Sequence, residues 1–196
     1  MAGVTRNPRP LFVTTLPTAP SDGMEVYYRA DSSNSIIWHL RARSVANGGS
    51  ATYPWEFVGG GALYTAIGNT EGQTNGIASG VFAALGVNGG ATISLTVPLI
   101  GTYIVEGGGA FYTNVGSNTN TNLYMGFKAN GTLPTFDDAG YTQETTQNRA
   151  PINWTSKLTV TSSGNLVVEQ VVRQDGGTRN LYGTNRFMKI TPIRVG

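Results

Sequence analysis

The chain has 196 residues, of which 12% are charged, and its net charge is +2. The charged share is well below the ~25% of an ordinary globular protein, whereas apolar residues make up 39%, enough for a folded core. A disordered chain would combine few apolar residues with a high net charge, so that class is excluded. The 27 Gly, 25 Thr and 16 Asn favour strands joined by tight turns, with a neutral polar surface that suits large assemblies.

Several classes of partner and cofactor lack their sequence signals. Basic residues are scattered, so we expect no nucleic-acid binding through a basic stripe. The chain has no Cys, which excludes a disulfide framework and a thiolate metal site. No stretch approaches the ~18 apolar residues of a membrane helix, and the proline-broken N-terminus has no signal-peptide core. We therefore expect a soluble protein that begins near Met1, with no membrane partner and no cofactor.

Residues 1–20 predict an extended N-terminal arm. Four prolines fix φ in this segment, remove backbone donors and push the preceding residues toward extended geometry. Two interpretations stay open. The arm is either a loose terminus or lies against a partner through its apolar residues, which are Leu11, Phe12, Val13 and Leu16.

Residues 21–66 predict a small β meander that is stabilised by packing on a neighbour. Its strands are expected at 25–30, 36–43 and 53–58. Alternation in the second strand places Trp38, Leu40 and Ala42 on one face, and we expect Trp38 and Trp55 to face each other. A polar, Gly-rich run follows, so the boundary with the next unit is placed between residues 59 and 76.

The aromatic residues of the meander allow two interpretations. They are either plain core or a platform on which another chain packs, since aromatic residues with small neighbours make good interface anchors. Together with the arm, they give the candidate docking residues, which are Leu11, Phe12, Leu16, Trp38, Tyr53, Trp55 and Phe57.

Residues 77–196 predict a β-sandwich or jelly roll, because short strands recur at steady spacing with turn signals between them. Strands are expected at 92–97, 102–113, 122–129, 141–147, 155–161, 165–174, 178–183 and 186–195. Three glycines at 107–109 indicate a bulge or a close backbone approach. Residues 77–86 fit either a kinked strand or a short helical turn, and residues 130–153 predict a long surface loop. The whole chain is thus expected to be all β.

No pattern in the sequence predicts catalysis, and we expect no enzyme. The single histidine, His39, lies in mid-strand, and no Gly-x-Ser-x-Gly elbow occurs. Asp137 and Asp138 are the adjacent acids of a turn, with a loop Ca²⁺ site as the alternative. With Phe136 they also form a possible ligand loop, in which exposed aromatic and polar side chains would contact a sugar.

Three N-terminal segments resemble the start of a family of tailed-bacteriophage virion proteins. They are 16-LPTAPSDGMEVYYRAD-31, 36-IIWHLRAR-43 and 53-YPWEFVGGG-61. Two later segments are similar in style to trimeric jelly rolls of the tumour-necrosis-factor and complement C1q type. They are 96-TVPLIGTYIVEGGG-109 and 187-FMKITPIRV-195.

The resemblance implies a structural protein of the virion, assembled in the host cytoplasm. It would be a minor tail protein, a tail or head fibre, or a capsid decoration protein, and would form a homotrimer through its jelly roll. Other virion proteins would be its partners, and a host cell-surface glycan is the alternative ligand. One departure from the family is the mixed charge of residues 165–180, where the family often has a more basic segment.

Overall fold

A computed structural model of the chain defines two β-sheets. The residues that it describes are 11–68, 72–78, 80–86, 92–113, 121–129, 132, 140–144, 149–161, 166–176 and 179–196. Apart from a short 3-10 turn at Val45–Asn47, the regular elements of this part of the chain are strands. The expected all-β class is confirmed.

The first sheet contains nine strands. They are β1 (Leu11–Val13), β2 (Glu25–Asp31), β3 (Ile36–Ala42), β4 (Trp55–Gly60), β5 (Leu63–Ile67), β6 (Gly72–Ile77), β9 (Gly101–Thr113), β12 (Ala150–Val160) and β14 (Arg179–Val195). Their order across the sheet is β1-β2-β3-β4-β14-β9-β12, and β5 and β6 pair with β14 farther along its length. Strand β1 is parallel to β2, whereas the other pairs are antiparallel.

The second sheet contains five strands. They are β7 (Ala83–Ala84), β8 (Ser94–Val97), β10 (Thr121–Ala129), β11 (Gly140–Glu144) and β13 (Leu166–Asp175). The order is β11-β10-β13, with β7 and β8 both pairing with β13. From β9 onward the chain passes to the second sheet for β10 and β11, returns for β12, crosses again for β13 and ends in β14. This alternation between the two sheets is the jelly-roll arrangement that the strand spacing predicts.

The two sheets pack face to face over a main apolar core. Inward side chains come from both sheets, and the largest fully buried apolar ones are Trp38, Trp55, Tyr103, Phe111 and Phe127. The buried Tyr103 hydroxyl is satisfied because it donates to the Leu99 carbonyl at 2.6 Å. We call the inward side of the first sheet its inner face and the opposite side its outer face.

The core continues across the predicted boundary between meander and jelly roll. Strand β4 pairs with the end of β14, and the ring centroids of Trp38 and Tyr103 are 6.3 Å apart. The indole N–H of Trp38 also donates to the Gly61 carbonyl at 3.0 Å. The meander thus has the neighbour on which it was expected to pack, and the division into separate units at 21–66 and 77–196 stays a prediction.

Two expectations about the meander are settled by its register. The expected alternation in β3 is correct, since Trp38, Leu40 and Ala42 are all buried. The expectation that Trp38 and Trp55 face each other is wrong, because Trp38 lies opposite Gly60 and Trp55 opposite Ala42. The partner of Trp55 is therefore four residues away from Trp38 along β3, which separates the two indoles along the strands.

The last strand differs most from the sequence prediction. The two strands expected at 178–183 and 186–195 are a single strand of 17 residues. The pairing of β14 with β9 shifts between Thr184 and Phe187, and Asn185 there has a φ of 50°. Asn is one of the few residues that tolerate this left-handed conformation. The segment around Asn185, where the sequence predicts a break between two strands, therefore forms a bulge within a continuous strand.

Several shorter segments also differ from expectation. Strand β12 begins at Ala150, within the predicted loop, because it pairs with β9 along its whole length. Residues 83–84 pair with β13, so this part of the ambiguous segment 77–86 is a strand. The close approach expected at the three glycines is confirmed. A Cβ atom on Gly107 would lie 2.8 Å from the ring of Phe127.

Candidate docking surface

Strand β1 is the terminal strand of the first sheet and carries exposed apolar side chains. Its residues Leu11, Phe12 and Val13 pair in parallel with residues 26–28 of β2. The side chains of Leu11 and Phe12 are 58% and 69% exposed, whereas Val13 packs against the core. Exposed edge strands usually carry charges or prolines that discourage pairing, but β1 itself has neither.

A row of rings crosses the outer face from β1 to β3. The ring of Phe12 lies 5.0 Å from that of Tyr27, and Tyr27 lies 4.9 Å from the imidazole of His39. We call Phe12, Tyr27 and His39 the aromatic row. Cross-strand ring pairs of this kind stabilise a sheet and fix the position of the side chains. The row therefore holds the exposed ring of Phe12 against partly buried neighbours.

Charged side chains continue this surface on the side of β3 and β4. Glu25 contacts Arg41 at 2.6 Å and the His39 imidazole at 3.0 Å, and the hydrogen bonds from Arg41 and then His39 lower the pKa of its carboxyl. Arg43 pairs with Glu56 at 3.0 Å. All of these pairs are partly exposed, so each contributes modestly to stability.

The predicted docking residues divide into exposed and buried groups. Leu11 and Phe12 are exposed, and Tyr53 and Phe57 are half-buried. Leu16, Trp38 and Trp55 are buried at 9%, 0% and 1% exposure. The two indoles therefore belong to the core, which was the first of the two interpretations, and they present no surface to a partner.

A second aromatic feature lies on the outer face of β9 and β14. The rings of Tyr112 and Tyr182 stack 4.8 Å apart at an interplanar angle of 14°, and the guanidinium of Arg149 lies 5.5 Å from the Tyr112 ring. The sequence pattern alone does not single out these residues. The three side chains become neighbours only through pairings between distant strands. The alternation within each strand was visible, but the register was not.

Some predicted ligand residues lie outside the part of the chain that the structure describes. These are Phe136, Asp137 and Asp138 of the possible ligand loop. Within the described ranges, no group of three or more His, Cys, Asp or Glu side chains could hold a metal ion. The same residues include no helix with the length and apolarity needed to cross a membrane.

Neither a family model nor a curated protein matches the chain, but solved structures do. One is Eiger TNF from S. frugiperda, with a TM-score of 0.38 and 8% identity, covering 69% of this chain and 95% of that one. Another is infectious bursal disease virus Gx strain, with a TM-score of 0.41 and 11% identity. It covers 79% of this chain, which spans only 38% of the viral one. Likenesses this remote carry no argument about partners or activity.

Proposed function

We propose that the chain is a structural protein of a tailed-bacteriophage particle, as a minor tail protein, fibre or capsid decoration protein. The arm and meander dock it on the particle, and the jelly roll projects outward as a homotrimer. It acts by burying apolar surface against other virion proteins, without covalent chemistry. The observation that carries this proposal is the exposed, uncharged strand β1 at the edge of the first sheet.

The position of β1 supports the use of opposite edges of one sheet for particle binding and for contacts between copies of the chain. Five strands separate β1 from β12 at the opposite edge. At the usual strand spacing this is a distance of roughly 30 Å. A particle protein bound at β1 would therefore leave β9 and β12 accessible to other copies of the chain. The resemblance of segments 16–31, 36–43 and 53–61 to phage virion proteins supports the same assignment.

Incorporation into particles tests the proposal directly. Particles purified from infected cells should contain the chain, as measured by quantitative mass spectrometry. A variant that lacks residues 1–13 should fold but not be incorporated, because it loses β1 while retaining the buried Leu16. Absence of the full chain from intact particles would refute the proposal. Copy number would then place the protein, since hundreds of copies indicate decoration and fewer indicate a tail or fibre.

Light scattering tests the homotrimer. The full chain should have a mass three times its 20.7 kDa, and the variant lacking residues 1–13 should keep that mass. A chain that starts near residue 77 is a poor test, because it would strip β4, β5 and β6 from β14. A monomer for the full chain would contradict trimerisation through the jelly roll.

One observation favours a second function, the recognition of a host glycan. The stacked rings of Tyr112 and Tyr182 are only partly buried and lie at the C-terminal end of β9, on the outer face of the first sheet. Aromatic rings offer apolar faces with a polar tip, which suits sugars. Glycan-array binding that is lost in both Tyr182→Ala and Phe136→Ala would support this function. Absence of binding to any host envelope fraction would exclude it.

A further inference from the structure

The outer edge of β1 has backbone groups that β2 does not use. In a sheet, each strand presents hydrogen-bonding groups on both sides, and β1 pairs on one side with β2. Across the described ranges, no other strand pairs with β1. Edge strands of this kind accept an additional extended segment, in which main-chain hydrogen bonds supply affinity and side chains supply specificity.

The aromatic row places an ordered apolar side chain, Phe12, on the edge strand. Phe12 is held on Tyr27, and Tyr27 on His39, before any partner arrives. A segment added beside β1 would bring alternate side chains within reach of Phe12. Because the ring is already positioned, little conformational freedom would be lost on binding.

The charges near the edge favour an acidic occupant. Residues 1–20 contain Arg6 and Arg9 and no acidic residue. On β2, Arg29 is exposed and makes no ion pair within the described part of the chain, whereas the Glu25 carboxylate is shared by Arg41 and His39. Asp31, the other acidic residue of β2, accepts hydrogen bonds from Ser33 and Asn34 in its own turn. The arm is therefore basic in sequence and Arg29 is an exposed β2 charge without an ion-pair partner in the described ranges, and complementary charge raises both the rate and the specificity of association.

We propose that β1 receives an extended acidic segment as an added strand, with an apolar side chain of that segment on Phe12. This inference rests on the proposed function in one respect, since it assigns the segment to a neighbouring protein of the particle. It names the chemistry of the partner, which is an alternation of acidic and apolar residues in extended conformation. Strand addition extends the first sheet from the chain into its neighbour.

Peptide binding tests the edge without the particle. Three labelled peptides of about eight residues, a usual strand length, are compared by fluorescence anisotropy with the full chain. One alternates Val and Glu, the second alternates Val and Lys, and the third alternates Pro and Glu. The Val-Glu peptide should bind about tenfold more tightly than either of the others. The Val-Lys peptide has charge of the opposite sign, and the prolines of the Pro-Glu peptide lack the N–H groups that strand pairing needs. Its binding should weaken as salt is added.

Variants and amide exchange locate the binding. Leu11→Glu, which adds a charge that repels the acidic peptide, and Phe12→Ala, which removes the apolar contact, should each weaken binding of the Val-Glu peptide about tenfold. Tyr64→Ala is the matched control, because Tyr64 is 58% exposed in the same sheet but lies on β5. The bound peptide should slow hydrogen exchange at residues 11–13. Equal binding of the acidic and basic peptides, no binding of either, or binding that survives Phe12→Ala would overturn the proposal.

The competing occupants give different results. If a second copy of this chain filled the edge, the mass in solution would fall in Leu11→Glu, and the proposal would be wrong. If the chain were absent from particles yet bound the Val-Glu peptide at β1, the proposed function would fail while the edge assignment stood. If the chain were present in particles but residues 11–13 exchanged as fast as in the free protein, the edge assignment would fail and the function would stand.

Discussion

Replacing Trp38 by Ala tests whether the meander and the jelly roll unfold as one unit. The side chain is fully buried in β3 of the meander, yet its ring lies 6.3 Å from that of Tyr103 in β9 of the jelly roll. It also packs 6.1 Å from the ring of Tyr28. The substitution therefore removes a contact that spans the predicted boundary. If the core is continuous, destabilisation should reach both parts of the chain.

The expected loss is large compared with the stability of an ordinary domain. Truncation of a buried aromatic residue to Ala costs about 3–5 kcal/mol, and total stability is typically about 5–15 kcal/mol. With a urea m-value of about 2 kcal/mol/M, the midpoint should fall by about 2 M. Trp38→Phe keeps most of the ring but leaves the Gly61 carbonyl without its donor, so it should cost about 1–3 kcal/mol.

Urea unfolding followed by two probes measures this effect. Far-UV circular dichroism reports on all strands. When Trp38→Ala is combined with Trp55→Phe, Trp154 is the one tryptophan left in the sequence, so fluorescence then reports on β12 at the far edge of the sheet. Both probes should show a single transition at the same lowered midpoint. Val58→Ala, at an exposed position of β4, is the control and should stay within about 0.5 kcal/mol of wild type.

A split transition would refute this reasoning. If Trp38→Ala shifted only part of the circular dichroism change while Trp154 kept its midpoint, the meander would unfold alone. The chain would then consist of two units, as the sequence predicts at residues 21–66 and 77–196. The contacts of β4 with β14 would in that case be too weak to couple them.

Two further predictions concern packing and pH. Gly107→Ala should lower stability by about 1–3 kcal/mol, because its Cβ would lie 2.8 Å from the Phe127 ring. Gly59→Ala meets no atom within 4 Å and is the control in the same thermal unfolding series, so equal losses would contradict the packing argument. Glu25 has a lowered pKa, so its contribution is present above its ordinary value of 4.5 and is lost as pH falls through the folded value. Urea unfolding of Glu25→Gln should therefore show a smaller loss of stability below pH 4.5 than wild type, and an identical loss would contradict it.

Local pattern was sufficient to predict the architecture. Alternation identified the inward residues of β3, because a strand with one buried face must repeat every second residue. The glycines before Phe111 indicated close approach, and inward Gly107 meets the ring of Phe127 from the other sheet. Both conclusions depend on residues close together in sequence, which is why they needed no knowledge of the register.

Register between distant strands was not predictable in the same way. The stack of Tyr112 on Tyr182 requires the pairing of β9 with β14, which a bulge at Asn185 shifts. The same applies to the contact of Phe12 with Tyr27, since a parallel pair at 11–13 and 26–28 leaves no signal in either segment alone. The candidate docking residues were therefore identified by type, and their division into buried and exposed groups came only with the fold.

The alternation of β2 and β3 joins the core to the candidate docking surface. Val26 and Trp38 point inward and are fully buried. Their neighbours Tyr27 and His39 consequently point outward, where Tyr27 packs between the rings of His39 and Phe12. The coupling between the two faces is asymmetric. Loss of the core ring at Trp38 should loosen the aromatic row, because the backbone that positions Tyr27 and His39 loses its support. Loss of the Phe12 ring should leave the core intact, since that side chain is 69% exposed and sits on the terminal strand. A surface built this way can change its partner by mutation at β1 without loss of the fold.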